Sequence, residues 1–551
     1  MQLQISSNKL KGWWRPEKKP PDSNETAFFE ALQRVNCPLY VVNLQGRMAV
    51  SLDGTAIVGS RNHAGPDALP LIGFAPALHP ENLGDPLFRR VHNLRYAYVI
   101  GAMANGITSV KIVQEAGRAG MIGFFGAAGL IPREIEAAIN ALKQTMGSQP
   151  YGFNLIHSPT DPQLEKATVA MYLKHGIKLV SASAYLNLTL PLVHYRVHNI
   201  YRSGNGNIVC PNKIMAKVSR IEVARKFFSP PPEKHLKELV SKNLISADQA
   251  QMASKVPMAD DLTAEADSGG HTDNRPALAL FPTMLALCDE IAGKHRYQDP
   301  IRVGLAGGIA TPDSVAAAFA MGAAYVLTGS INQACREAGT SDTVRQMLAD
   351  AEQADVTMAP SADMFELGVK VQVLKRGTMF ALRATKLYDL YAHYNSYEEI
   401  PAEQREIIQR DLFRRSFEEE WQQTKIFFAR RDPRQIELAE NNKKHKMALV
   451  FRSYLGQSSV WANTGDLSRK IDYQIWCGPS MGAFNQWVKG SFLENWENRK
   501  VVTVALNLML GSAVITRLNW LRQQGIRLPS SAAKFHPLKM QGISKLLDEQ
   551  M

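Results

Sequence analysis

Short apolar runs alternate with amphipathic stretches from Arg95 to Ser330. The run YAYVIGAM leads into a helical pattern with Val110, Val113 and Ala116 on one face behind a Thr108 or Ser109 cap, and MIGFFGA follows. The alternation continues through YGFNLI, KLVSASA, NKIMAKVS, DDLTAEAD, IRVGLAGG and AAYVLTGS. Eight strand candidates, mostly joined by helical stretches, predict the α/β class and a (β/α)₈ TIM barrel.

The flanks carry other patterns. Residues 1–92 hold short β-like runs at Leu39 to Val42, Ala56 to Val58 and Leu71 to Phe74, broken by Gly, Pro, Asn and Asp, which predict a small β-rich N-terminal region behind a flexible basic leader. The barrel is expected over residues 93–384, with inserts at about 191–211 and 229–256. The first reads as a β-hairpin standing over the face formed by the strand C-termini, because β-branched and aromatic residues alternate around Ser-Gly-Asn-Gly. The second opens with three prolines and then turns helical. VKVQVLKRG alternates like a half-exposed strand, and residues 385–551 read as a helical cap or docking domain. Phe413, Phe417 and Trp421 recur every fourth residue as a core-facing stripe. The apolar stretch Val501 to Ile515 is shorter than the roughly 20 residues that span a bilayer and reads as a buried helix.

Chemistry is concentrated at the predicted strand ends. AGGI after the seventh strand and TGS after the eighth place Gly307, Gly308, Gly329 and Ser330 where a barrel presents backbone N–H groups to a phosphate. Thr311 and Pro312 suit the cap and first turn of the next helix. With no G-x-G-x-x-G fingerprint, a mononucleotide or sugar phosphate is expected rather than a dinucleotide, and FMN suits a barrel. Its ring would lie across the barrel mouth against the turn Gly101, Ala102, Met103, the amide of Asn154 and the ammonium of Lys217. A cation there stabilises an anionic reduced flavin. His271 ends the turn Ser268, Gly269, Gly270 after the sixth strand and is the expected acid or hydrogen-bond donor, with Asp267 either orienting it or capping the turn.

Composition narrows the alternatives. A chain of 551 residues, 45% hydrophobic and 21% charged, is that of a folded protein larger than one ordinary domain. The five cysteines lack metal-type or paired spacing, so neither zinc nor a disulfide framework is expected, and the reducing cytosol is the expected compartment. No Ser-His-Asp elbow, H-E-x-x-H or Walker A loop supports a hydrolase or P-loop reading. The net charge of +12 is spread along the chain without a nucleic-acid motif.

The motifs GAMANGI, FNL, MAKVS, DSGGH, AGGI and TGS, in that order, resemble those of the FMN-dependent nitronate monooxygenase and enoyl reductase superfamily. The longer stretches TAEADSGGHTDNRP, SADMFELGVKVQVLKRGTMFALRA and WCGPSMGAFNQWVKG are similar to the stand-alone enoyl reductase subunit of bacterial polyunsaturated fatty acid and polyketide synthases.

That resemblance implies flavin contacts at Gly101, Ala102, Met103, Asn154, Lys217, Gly269 and Gly270, phosphate contacts at Gly307, Gly308, Gly329 and Ser330, an active-site His271, and no metal. It implies reduction in trans of a trans-2-enoyl thioester on acyl carrier protein, with NADPH as co-substrate. An acidic carrier would suit the basic balance, with Lys370, Lys375, Arg376, Arg414 and Arg415 as expected contacts. Alternatives are a nitronate monooxygenase and a non-catalytic scaffold of a synthase; a homodimer stays open.

Overall fold

The computed structural model describes residues 11–157, 162–527 and 534–548. Eight parallel strands close a barrel: β1 (Tyr98–Ile100), β2 (Ile122–Phe125), β3 (Gly152–Ile156), β4 (Leu179–Ser183), β5 (Lys213–Val218), β6 (Asp261–Glu265), β7 (Arg302–Ala306) and β8 (Val326–Thr328). They neighbour one another in chain order, and β8 meets β1 with Val326 opposite Tyr98 and Thr328 opposite Ile100. All eight correspond to runs expected from the apolar pattern. Barrel strands are covered on both faces, which is why they read as near-continuous apolar segments.

Side-chain alternation layers the interior. On β6, Asp261 at the lower end bonds His92 Nε2 at 2.7 Å and Arg302 Nε at 2.5 Å. Thr263, midway, meets the Tyr325 hydroxyl at 2.8 Å, and Glu265, at the upper end, pairs with Lys217. The helix Pro86–Val91 plugs the N-terminal end, its Phe88 ring stacked on Tyr325 with centroids 4.2 Å apart. The C-terminal end is left for the site, as in other barrels of this kind.

Of the two inserts, the first departs from expectation and the second is helical as expected. The first half of the presumed hairpin is helix Leu190–Val197, because Thr189 accepts from Leu192 N and starts a turn that the β-branched pattern did not suggest. Only Tyr201–Arg202 and Ile208–Val209 pair, and Ile208 N bonds Gln298, which precedes β7. This ribbon therefore sits at the N-terminal end, away from the mouth. The later segment holds helices Glu233–Ser241 and Ala247–Ala253.

After β8, strands Val356–Pro360 and Lys370–Leu374 form an antiparallel hairpin, and the second pairs with Gly270–His271. Helices Phe380–His393, Phe417–Arg431 and Lys443–Thr464 follow. Phe413, Phe417 and Trp421 are all buried in their core, although Phe413 ends a π-helical turn and Arg414 breaks the helix with φ +59°.

The helix Val501–Gln523 is longer than the apolar run suggested, and it is buried. It packs against Pro312–Ala320 and Val110–Arg118, filling the outer-layer position between the helices after β7 and β1. A Cβ at Gly511 would lie 2.6 Å from Pro312, so the close approach requires glycine. Residues 385–551 are thus not one cap, since this helix completes the barrel wall. Its Arg517 donates to the carbonyls of Leu32, Arg34 and Cys37 at 2.8 to 3.0 Å and joins the N-terminal region to the barrel.

That region is a five-stranded antiparallel sheet in the order Arg47–Ser51, Leu39–Leu44, Leu69–Ala75, Gly12–Arg15, Thr55–Ile57. Residues 1–10 of the expected leader lie outside the described residues. Gly12–Arg15 is a strand because Trp14 is fully buried and its Nε1–H donates to the Asp53 carbonyl at 2.9 Å.

Candidate active site

A cavity of about 920 Å³ opens at the C-terminal ends of the strands and continues under the helical region. Ala102, Asn154, Lys217, Gly269, Gly270 and His271 all line it. Gly101, Met103, Gly307, Gly308, Gly329 and Ser330 do not contribute to this lining.

His271 is held from two directions. Its backbone pairs with Val371 of the hairpin, and its Nε2 lies 3.2 Å from Asp363 Oδ1 in the loop between the hairpin strands. Nδ1 has no hydrogen-bond partner among the described residues. Enclosure by protein disfavours the imidazolium, but the charge and hydrogen bond of Asp363 outweigh this, so His271 titrates above the ordinary histidine range. Burial would raise the Asp363 carboxyl, yet His271 and the Ser361 hydroxyl hold it well below the usual carboxylate range. Asp267, four residues before His271, instead accepts from Asn274 at 2.9 Å and Gln372 at 2.8 Å. It secures the turn and does not orient His271.

Lys217 ends β5 beside Glu265 at the end of β6, and Glu265 also accepts from Ser268 Oγ at 2.9 Å. The Asn154 amide nitrogen donates to the Ser181 carbonyl at 3.1 Å and to Ser183 Oγ at 2.9 Å. Thr108 shapes the first turn: its hydroxyl donates to the Gly101 carbonyl and accepts from Met103 N, while Ser109 supplies the helix cap. Glu265 and Asp363 escaped sequence reasoning. The period-two alternation on β6 carried a signal for Glu265, whereas nothing local marks Asp363.

The two glycine turns sit on paired neighbours, with Leu305 opposite Val326 and Ala306 opposite Leu327. Gly307 has φ +84° and a Cβ there would lie 2.5 Å from the Ala266 carbonyl carbon. Gly308 and Gly329 have no atom within 4 Å of an added Cβ, so open space lies above both strand ends. Thr311 and Ser314 cap the helix that follows, reciprocally. Gly478 N donates to Ser330 Oγ at 3.1 Å, and a Cβ on Gly269 would meet Cys477 at 2.9 Å, so the stretch Trp476–Cys477–Gly478 touches both turns.

The roof comes from Phe417–Arg431 and Lys443–Thr464 through Thr424, Phe427, Phe428, Ser453 and Val460. Buried Glu420 accepts from Ser453 at 2.6 Å and Gln457 at 2.7 Å, and Arg415 pairs with it at 3.4 Å. Arg376 is engaged by Asp355 and Glu352, and Arg414 by the Ser468 carbonyl. On the hairpin, Lys370 is exposed at the cavity rim, whereas Lys375 is exposed just past the far end of the same strand, outside the cavity lining.

Residues 89–387 match the nitronate monooxygenase family. The chain belongs to that family. Residues 394–473, most of the roof, match the inserted helical domain of [acyl-carrier-protein] S-malonyltransferase. Among this family member's relatives, the enoyl reductase domain of MlnA from the macrolactin cluster of Bacillus amyloliquefaciens has a solved structure with 41% identity and a TM-score of 0.76, covering 80% of this chain and 99% of that one. The polyketide biosynthesis protein PksE of Bacillus subtilis (strain 168) is 46% identical over 79% of the chain, and a polyunsaturated fatty acid synthase subunit from a Thraustochytrium strain is 43% identical over 80%. The chain spans 56% and 30% of the length of these two curated relatives.

Proposed function

We propose that the protein is an FMN-dependent enoyl reductase that acts in trans on trans-2-enoyl thioesters of acyl carrier protein, with NADPH as reductant. The observation that carries this reading is the meeting of Asn154, Lys217 and His271 on one roofed cavity at the barrel mouth, in a chain 41% identical to an enoyl reductase domain. Open space at Gly308 and Gly329 suits a phosphate, and a cavity of about 920 Å³ is ample for a flat ring and an acyl chain.

Bound flavin would supply two-electron hydride chemistry between nicotinamide and the β-carbon of the enoyl group. Ala102 and Asn154 would border the ring, and Lys217 would face its N1/O2 edge and offset negative charge there. His271 would donate toward the thioester, where negative charge develops on the carbonyl and the α-carbon. A roof that limits access of water would strengthen both electrostatic contributions. The charge of +12, with Lys370 at the cavity rim, would steer an acidic carrier.

The test is anaerobic visible spectroscopy of the purified protein. Bleaching of flavin bands by NADPH and their return on adding a 2-enoyl thioester is the expected result. Reoxidation by oxygen with nitronate oxidation, and none by the thioester, overturns it, as does a protein that takes up no flavin.

A further inference from the structure

We propose that Asp363 is the positioning residue of His271: the hairpin Val356–Leu374 carries its carboxylate to Nε2, fixes the ring, and leaves Nδ1–H as the donor presented to the cavity. The inference rests on the enoyl reductase reading for its chemistry and adds to it the choice of nitrogen and the group that makes the choice.

The geometry supports this in three ways. First, the hairpin holds His271 twice, by the pairs Gly270 with Gln372 and His271 with Val371 and by the carboxylate at 3.2 Å. Secondly, the carboxylate is itself fixed, since Ser361 donates to Asp363 Oδ1 while its hydroxyl accepts from Met364 N at 3.2 Å. Thirdly, the carboxylates flanking His271 in the chain are committed elsewhere: Asp273 pairs with Arg220, and Asp267 holds Gln372, whose amide also donates to the Ser268 carbonyl at 2.8 Å. The hairpin lies beyond the eighth strand and is no part of a minimal barrel, so the orientation of His271 is set by chain that the barrel itself does not need.

The charged groups facing the ring are Asp363 from the hairpin loop, Lys217 from β5 and Glu265 from β6; on its own segment, Asp273 is turned to Arg220. With hydride added at the β-carbon, the Cα=Cβ π pair moves to the α-carbon and carbonyl. That pair takes the proton from Nδ1, forming the Cα–H bond and leaving the N–H bonding pair on a neutral ring. Asp363 keeps Nε2–H throughout, and water returns a proton to Nδ1. Removing the carboxylate lowers the affinity of the ring for its second proton, so the acid form is lost at lower pH.

The test is carried out on flavin-loaded protein labelled with ¹⁵N-histidine, with His271→Asn assigning the resonance, alongside pH profiles of kcat/KM for a 2-butenoyl thioester of N-acetylcysteamine. In the wild type the neutral ring is expected to carry its proton on Nε2. In Asp363→Asn both the ring titration and the alkaline limb of kcat/KM are expected to move down by about one pH unit, a tenfold change in proton affinity. Asp363→Glu restores much of the shift, and thermal midpoint and flavin content stay unchanged. Superimposable titrations of wild type and Asp363→Asn, or a neutral ring protonated on Nδ1, overturn the proposal. If no thioester reoxidises the flavin, the enoyl reductase reading fails, while the ring titration still decides whether Asp363 governs His271.

Discussion

Glu265 of β6 and Lys217 of β5 form an ion pair at the barrel mouth, so the cation expected to face the flavin is shared with a carboxylate. Replacing Glu265 with Gln removes that competition, and the midpoint potential of bound flavin should become more positive, because the anionic reduced form is favoured. Lys217→Met should shift it the other way and slow flavin reduction on the order of a hundredfold. A spectroelectrochemical titration checks both signs. Shifts in the same direction would exclude the ion pair as their source.

Gly307 and Gly329 separate structural from ligand-binding roles. Gly307→Ala places a Cβ 2.5 Å from Ala266 at φ +84° and should cost about 2 kcal/mol or more in urea unfolding. Gly329→Ala enters open space, so the unfolding midpoint should hardly move. Its affinity for FMN, measured by fluorescence quenching, should fall at least about tenfold if phosphate occupies that space.

The buried cluster His92, Asp261, Arg302 makes stability depend on acid. Burial opposes the charged Asp261 carboxyl, but His92 and Arg302 outweigh it and bring its pKa down to about 2. A depressed carboxylate contributes stability above its unfolded pKa and loses it as pH falls toward the folded value. The loss should run from about pH 4 to about pH 2 and amount to about 2 to 3 kcal/mol. Asp261→Asn should be less stable at pH 7 and show a flatter urea midpoint between about pH 4 and about pH 2.

Arg517 is buried, and burial pushes its pKa down to about 10. Its hydrogen bonds are to carbonyls of the N-terminal region, so Arg517→Met takes this donor from the Leu32 and Cys37 carbonyls, while the Arg34 carbonyl keeps Cys37 N at 3.2 Å. The expected cost is on the order of 3 kcal/mol. Differential scanning calorimetry should show a lowered midpoint, with flavin spectra unchanged well below that midpoint.

The barrel was legible because its strands read as short, mostly apolar runs separated by helical stretches, and Asn154, Lys217 and His271, singled out on or just after barrel strands, line one cavity. Where local chemistry overrode pattern, the reading failed. Thr189 turns an alternating β-like segment into a helix, and Trp14 draws a basic, proline-rich leader into a sheet. Asp363 was out of reach for another reason: it lies 92 residues from His271, and only docking of the hairpin on the Gly270–His271 strand brings the two together. Asp267, close by in the chain, was the natural sequence choice, and hydrogen bonds to Asn274 and Gln372 turn it aside.

The wall of the barrel is finished by Val501–Gln523, which lies far along the chain from β8 at Val326–Thr328. A ribosome therefore releases all eight strands while the groove between helices Pro312–Ala320 and Val110–Arg118 still stands open and apolar. Closing it requires a long-range contact made late, the kind that slows folding and leaves sticky intermediates exposed. Nascent chains stalled before Val501 should engage chaperones for as long as that groove is bare, and the release of this one helix sets the moment at which the protein becomes self-sufficient.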